Sequence, residues 1–472
     1  MADEHELPAA TSIDGRHFLY ETPADRLDVR VGAYVVLGDD GAAPGRLAYV
    51  TSVALAERAP GERRHRARVE GRLLEGDEPF GDVPVRVAEP GEVAAWLDAA
   101  RPRRASLGVG SLTFAEGVPL ALDAGAFDRH TFLCGQSGSG KTYALGTILE
   151  RLLAETTLRI VVLDPNSDFS RLAELRDDAP EDARSLYAGV ASGVEVRRGT
   201  DGGPGRLHVR FRDFDAAEQA AVLRLDPIGD RDEYAALQDA LEQPGAHATT
   251  VEEALAAMWD APEPVHSLGV RARNLGVDRW RIWSGRDRGS LGDLVQPGGP
   301  RCVVADLGSL PTREEQAVAA EALLAALWRR RAAREPILIV IDEAHNVCPA
   351  HPEDLLSALA TEHAVRIAGE GRKFGLVLLV ATQRPQKVHE NVVSQCDNLV
   401  LMRMNSRSDL ALLSETFSFV PPSLLALAAE FRQGEAVVGG KLVPSPTLGR
   451  FGPRWSVEGG ADVPSDWAAS RG

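Results

Sequence analysis

Hydrophobic and polar positions follow two different rhythms along this chain. From residue 1 to about 100, apolar residues come in short runs broken by turn residues. Val29-Arg30-Val31-Gly32-Ala33-Tyr34-Val35-Val36-Leu37 is largely apolar and β-branched, and Gly38-Asp39-Asp40-Gly41 follows as a turn signal. Gly45 to Val53, Arg66 to Leu74 and Val83 to Val87 continue the series. Regular turn punctuation over this length predicts a small β-barrel across residues 1–100, a structural or assembly module with no catalytic residue in it. Glu92 to Ala100 reads as a short helix that runs into Arg101-Pro102-Arg103-Arg104. Two readings of these arginines stay open, a solvated linker and a phosphate contact.

Beyond residue 107 mostly apolar runs alternate with helical stretches, which predicts an alternating α/β pattern with parallel strands. The runs are His130 to Cys134, Arg159 to Asp164, Arg301 to Asp306, Ile337 to Ile341 and Leu376 to Thr382. Helices are expected over Tyr143 to Leu153, Thr312 to about Arg334 and Glu353 to Ala368. Ala317, Ala320, Leu324, Leu327 and Trp328 mark one face of the long second helix, and Arg329-Arg330-Arg331 reads as its solvated end. From about 211 to 290 the pattern turns helical, with Ala216 to Leu225, Arg231 to Leu241 and Thr250 to Trp259 as candidates punctuated by Pro227, Pro244 and Pro262, and reads as an insertion without chemistry. Asn398 to Arg403 and Gly434 to Gly440 look like late strands. Residues 453–472 are expected to be a flexible tail; in it Trp467 either anchors a partner or packs back.

Composition narrows the class. With 472 residues, 44% hydrophobic and 26% charged, this is an ordinary globular chain with room for two domains. No apolar run approaches a membrane span, and the start lacks the shape of a signal peptide, so the expected location is cytoplasmic and no membrane partner is expected. Cys134, Cys302, Cys348 and Cys396 form no Cys-x-x-Cys pair and read as buried free thiols. A net charge of −17 argues against nucleic-acid binding over the whole outer surface and leaves open an enclosed, locally basic channel.

The chemistry is concentrated in two places. Gly135-Gln136-Ser137-Gly138-Ser139-Gly140-Lys141-Thr142 fits the loop that wraps a nucleotide triphosphate, set between an apolar strand and a helix. Its glycines let backbone N–H groups turn toward phosphate oxygens, Lys141 adds a charge for the outer phosphates, and the Thr142 hydroxyl is suited to Mg²⁺. The helix that follows, from Tyr143, points its positive end at the same phosphates. The second place is the strand Ile337 to Ile341, which runs into Asp342-Glu343-Ala344-His345. Asp342 is expected to hold Mg²⁺ or its water, and Glu343 to polarise the attacking water. Gln383, just past the next strand, is placed to hydrogen-bond the γ-phosphate and the lytic water. Asp164 either faces the nucleotide or caps its turn, and His345 is a ligand, a shuttle or a hydrogen-bonded link.

The order of these motifs resembles the HerA family of the HerA–FtsK motor ATPases. The resemblance rests on the phosphate loop, Leu163-Asp164-Pro165-Asn166, Ile341-Asp342-Glu343-Ala344-His345-Asn346, Gly371-Arg372-Lys373-Phe374-Gly375, Ala381-Thr382-Gln383-Arg384-Pro385 and Val392 to Asn398, and spans about residues 107–452. It implies an α/β, RecA-like P-loop ATPase core over 107–452 with a helical insertion at about 211–290, preceded by the barrel. It implies an ATP-hydrolysing hexameric ring that translocates or unwinds double-stranded DNA, with ATP and Mg²⁺ bound, beside a nuclease or defence-effector partner. By residue it implies nucleotide contacts over Gly135 to Tyr143, metal at Thr142 and Asp342, and catalysis by Lys141, Glu343, Gln383 and Arg372, the last reaching a neighbouring subunit. Arg384 and Arg403 are rivals for that arginine. Ser167 and Asp168 stand where relatives often carry Gly and Glu. Alternatives are a nucleotide-gated ring scaffold and a conjugation- or secretion-type pump.

Overall fold

The fold is mixed α/β, seen in a computed structural model that describes residues 7–38, 45–57, 65–100, 105–200, 205–242, 251–284 and 289–460. The expected turn at Gly38–Gly41, apart from Gly38, the arginine run 101–104 and the tail residue Trp467 lie outside the described residues. In chain order the strands are β1 (Ala9–Ser12), β2 (His17–Pro23), β3 (Tyr34–Leu37), β4 (Arg46–Leu55), β5 (Arg66–Leu73), β6 (Phe80–Val87), β7 (Ser106–Leu112), β8 (Pro119–Asp123) and β9 (Thr131–Cys134). They continue with β10 (Arg159–Asp164), β11 (Val194–Arg198), β12 (Cys302–Asp306), β13 (Ile337–Ile341), β14 (Leu376–Thr382), β15 (Asn398–Met402), β16 (Glu435–Gly439) and β17 (Thr447–Phe451). The chain forms two compact units and crosses between them repeatedly. One holds Met1–Phe127, Leu133–Ala144 and Asp397–Pro453; the other holds Asp128–Phe132, Leu145–Cys396 and Arg454–Gly472.

In the first unit β1 to β6 close into an antiparallel barrel of order β1-β2-β5-β4-β3-β6. Alternation sets its inside: Val35, Ala48, Val50, Val69 and Val85 form a buried cluster with Phe18 and Tyr20. The run expected as a strand from Val29 forms one only from Tyr34, because Gly32 turns the chain at φ +91°. The same unit holds the antiparallel series β15-β16-β17-β7-β8. Gly110 is required there: a Cβ would come within 1.9 Å of the Arg450 carbonyl oxygen across the β7–β17 pair.

In the second unit parallel pairing gives the order β11-β12-β10-β13-β14. Strands β10, β12, β13 and β14 are buried at every position, as their apolar centres require. The helices Arg313–Arg329 and Leu355–Glu370 belong to the same unit, and the insertion is helical at Ala216–Val222, Arg231–Glu242, Val251–Trp259 and Val265–Leu275. The arginines at the end of the long helix are not solvated as a group. Arg329 pairs with buried Glu218 at 2.9 Å, Arg330 is buried against Glu335 and the Val295 carbonyl, and Arg331 stacks 4.5 Å above the Trp328 ring. Each guanidinium thus has its own partner: the buried Glu218 for Arg329, the half-buried Glu335 for Arg330 and the Trp328 ring for Arg331.

The head of the expected flexible tail is also packed. Arg454, Trp455 and Ser456 are buried, and the Trp455 and Ser456 N–H groups each donate to Glu150 at 2.7 Å. Gly146 makes room for this, since a Cβ would come within 2.4 Å of the Arg454 guanidinium.

Candidate active site

The phosphate loop, which belongs to the first unit, follows β9, and the helix Lys141–Glu155 begins at the lysine itself. Gly138 and Gly140 hold φ of +71° and +93°, where a side chain would be strained. Three backbone-directed bonds brace the loop. Gln136 N–H donates to the Arg403 carbonyl at 2.9 Å, Arg403 Nη2 to the Gly138 carbonyl at 2.9 Å, and Gly434 N–H to the Ser139 carbonyl at 2.9 Å. Gln136 Oε1 in turn accepts the Asn405 N–H at 3.1 Å. Ser139 is fully buried with no hydrogen-bond partner for its hydroxyl among the described residues, and Lys141 is buried as well. A loop of this conformation at a helix N-terminus suits phosphate oxygens. Thr142 and Tyr143 follow on the first helical turn, half-buried. Arg403, a rival for the arginine acting between subunits, therefore grips its own loop. An arginine after an apolar strand carries no sequence signal for that role.

In the second unit three parallel strands lead to buried carboxylates. β10 ends in Asp164, β12 ends in Asp306 in register with it, and β13 runs into Asp342, whose N–H donates to the Leu163 carbonyl at 3.1 Å. Asp164 accepts the N–H groups of Asp168 at 3.0 Å and Phe169 at 2.8 Å, so it ties down the turn behind it. Burial, with Asp342 and Asp306 alongside, pushes its carboxyl up to about 8. Ser167 sits in that turn at φ +64°, and its hydroxyl donates to Asp306 at 2.6 Å. That bond supports the left-handed backbone at the position where glycine would be conformationally free. Buried carboxylates crowded in this way are hard oxygen donors, and Asp342 fits a Mg²⁺ site on that chemistry.

Glu343 is turned away from the strand axis. Its backbone stands at φ +42°, ψ +50°, a left-handed conformation that costs a non-glycine residue about 1–2 kcal/mol. The carboxylate reaches the tip of β14, where Gln383 Nε2 donates to Oε1 at 2.6 Å and the Gln383 N–H reaches Oε2 at 3.4 Å. His345 Nδ1 lies 3.3 Å from Oε2 and 3.1 Å from the Thr382 hydroxyl, so the histidine is a hydrogen-bonded link in this site. A buried carboxylate fixed at both oxygens can orient and polarise a water molecule.

Arg372 is not brought to this group. It is exposed on the turn Gly371–Phe374 before β14, whereas Gln383 follows the strand's other end. The seven residues of β14 that lie between them rise about 3.3 Å each, roughly 23 Å in all. Arg384 is exposed next to Gln383.

Residues 107–268 match the family "Helicase HerA, central domain". Over 114 residues the chain is 36% identical to the DNA double-strand break repair helicase HerA of Sulfurisphaera tokodaii, covering 24% of this chain and 22% of that one. The DNA double-strand break repair helicase HerA of Pyrococcus furiosus is 23% identical over 403 residues, 73% of this chain and 69% of that one. VirB4 of Thermoanaerobacter pseudethanolicus shares the fold at a TM-score of 0.50 and 17% identity, over 75% of this chain and 97% of that one. The chain thus spans about a fifth of the Sulfurisphaera relative and about two thirds of the Pyrococcus one.

Proposed function

We propose, from the premise that this chain is a HerA-type P-loop ATPase, that it hydrolyses ATP and uses the energy to move along double-stranded DNA as a homo-oligomeric ring, a hexamer. The observation that carries this reading is the 2.6 Å hydrogen bond from Gln383 to Glu343 at the tips of neighbouring parallel strands. A protein that only bound nucleotide would have no use for a buried carboxylate held in a strained backbone by a glutamine.

The residues divide the work. Backbone N–H groups from Gly135 to Gly140, with Lys141, hold the β- and γ-phosphates, and Tyr143 borders the nucleotide. Thr142 and Asp342 would hold Mg²⁺, which when bound neutralises charge on the phosphate oxygens. Glu343 orients the attacking water and accepts its proton, while Gln383 fixes Glu343 and reaches the γ-phosphate with its second amide proton. Arg372 of a neighbouring copy supplies a guanidinium to the transition state, a contribution worth roughly 10³–10⁵ in rate. Its distance from its own Glu343 supports this, because it has no access to the water in its own subunit.

The relatives are DNA double-strand break repair helicases, which supports DNA as the track, and the net charge of −17 favours a channel over an open surface. Among the described residues no helix is long and apolar enough to cross a membrane, which gives no support to a membrane pump. A nuclease or defence effector is the partner class that such a motor would serve, in the cytoplasm. The test is ATP turnover with and without duplex DNA, together with the mass of the nucleotide-bound protein. Turnover raised by duplex and a hexamer-sized particle support the reading. Turnover indifferent to duplex would favour the nucleotide-gated scaffold.

A further inference from the structure

We propose that Thr382 is a positioning residue for the hydrolytic carboxylate, acting through its hydroxyl on both arms that hold Glu343; this rests on the hydrolytic reading above. Thr382 is the last residue of β14 and fully buried. Its hydroxyl oxygen accepts the Arg384 N–H at 3.0 Å, which fixes the turn carrying Gln383. The same oxygen lies 3.1 Å from His345 Nδ1, and that nitrogen lies 3.3 Å from Glu343 Oε2. One hydroxyl therefore joins the Gln383 arm at Oε1 to the His345 arm at Oε2.

Two observations argue that the hydroxyl serves the site and not the fold. The rest of β14 is Leu376, Val377, Leu378, Leu379, Val380 and Ala381, all apolar and buried, so a valine at 382 would match the strand and fill nearly the same volume. A buried hydroxyl is costly unless it is hydrogen-bonded, and both bonds of this one lead to groups that grip Glu343. The need for a bracket follows from the backbone. At φ +42° Glu343 is not directed by the strand, so its partners set where the carboxylate points.

Thr382→Val and Thr382→Ser, assayed in the full chain with duplex DNA and varied ATP, test the proposal. Thr382→Val is expected to lower kcat by about tenfold or more, with KM for ATP and the affinity for a non-hydrolysable ATP analogue within about twofold of wild type. Its melting temperature should stay within a few degrees of wild type, since a single part-buried N–H loses its acceptor, and Thr382→Ser should restore kcat to within about threefold. His345→Ala, which removes one arm and keeps the threonine, should show the same fall in kcat. A Thr382→Val protein with wild-type kcat, a defect confined to KM, a serine variant that fails to recover, or a normal kcat in His345→Ala would each overturn the assignment. A wild-type protein that leaves ATP intact would instead overturn the hydrolytic reading on which it stands.

Discussion

Gln383 and Glu343 meet at the tips of β14 and β13, amide nitrogen to carboxylate oxygen, 2.6 Å apart. The contact shows that the glutamine's first partner is the carboxylate itself. If Gln383 fixes the group that orients water, Gln383→Ala should lower kcat roughly 10–100-fold while nucleotide affinity stays within about threefold. Steady-state kinetics with an analogue-binding assay checks this. An unchanged kcat would leave the glutamine as a turn-stabilising amide.

Arg372 stands at the far end of β14 from that pair and is exposed. Arg372→Ala alone should lose about 10³ or more in turnover with ATP binding kept, and should regain part of it when mixed with Lys141→Ala subunits. Each variant lacks a different half of a shared site, so mixed rings contain some complete ones. If Arg372→Ala hydrolyses ATP normally, the arginine lies elsewhere, with Arg384 the next to test.

Glu150 accepts two buried backbone N–H groups, from Trp455 and Ser456, and an ion pair from Arg151 at 2.8 Å. Glu150→Ala leaves those donors without an acceptor, at a cost of about 2–4 kcal/mol. A drop of several degrees in the first thermal transition is the expected result, and Glu150→Gln, which keeps one acceptor oxygen, should lose less. A loss below about 1 kcal/mol would mean the C-terminal segment is held by other contacts.

Asp164 gives the stability a pH dependence of defined sign. Burial beside Asp342 and Asp306 raises its carboxyl from an ordinary 3.8 to about 8, so between those values the folded chain keeps a proton that the unfolded chain has lost. Its contribution is complete below about pH 4 and is lost as pH rises through about 8. With metal chelated, stability should therefore fall across that interval. Asp164→Asn, although less stable at pH 4 because one backbone N–H loses its acceptor, should show a flatter slope. An equal slope in both proteins would refute the assignment.

The core of the fold was legible because β10, β12, β13 and β14 are buried on both faces, so apolar residues fill their centres and polar ones stand only at their ends. The phosphate loop was legible because its glycines are demanded by dihedrals that other residues avoid. Strands β7 and β17 escaped notice. Ser106-Leu-Gly-Val-Gly-Ser-Leu112 and Thr447-Leu-Gly-Arg-Phe451 carry glycine where two backbones approach closely, and that breaks the apolar signal. The helix Val265–Leu275 was missed because Gly269 and several polar residues blur its periodicity. The left-handed turn at Glu343 was invisible, since no residue type announces it and the surrounding hydrogen bonds impose it. Arg403 was seen only as a candidate for another subunit's site, because its contact with Gly138 joins segments 265 residues apart.

The central claim is that Glu343 orients the water that splits ATP. ATP turnover by Glu343→Gln, with analogue binding measured on the same preparation, tests it most directly. The account predicts a fall in kcat of about 10²-fold or more with binding within a few-fold of wild type. Turnover at the wild-type rate with intact binding would contradict it.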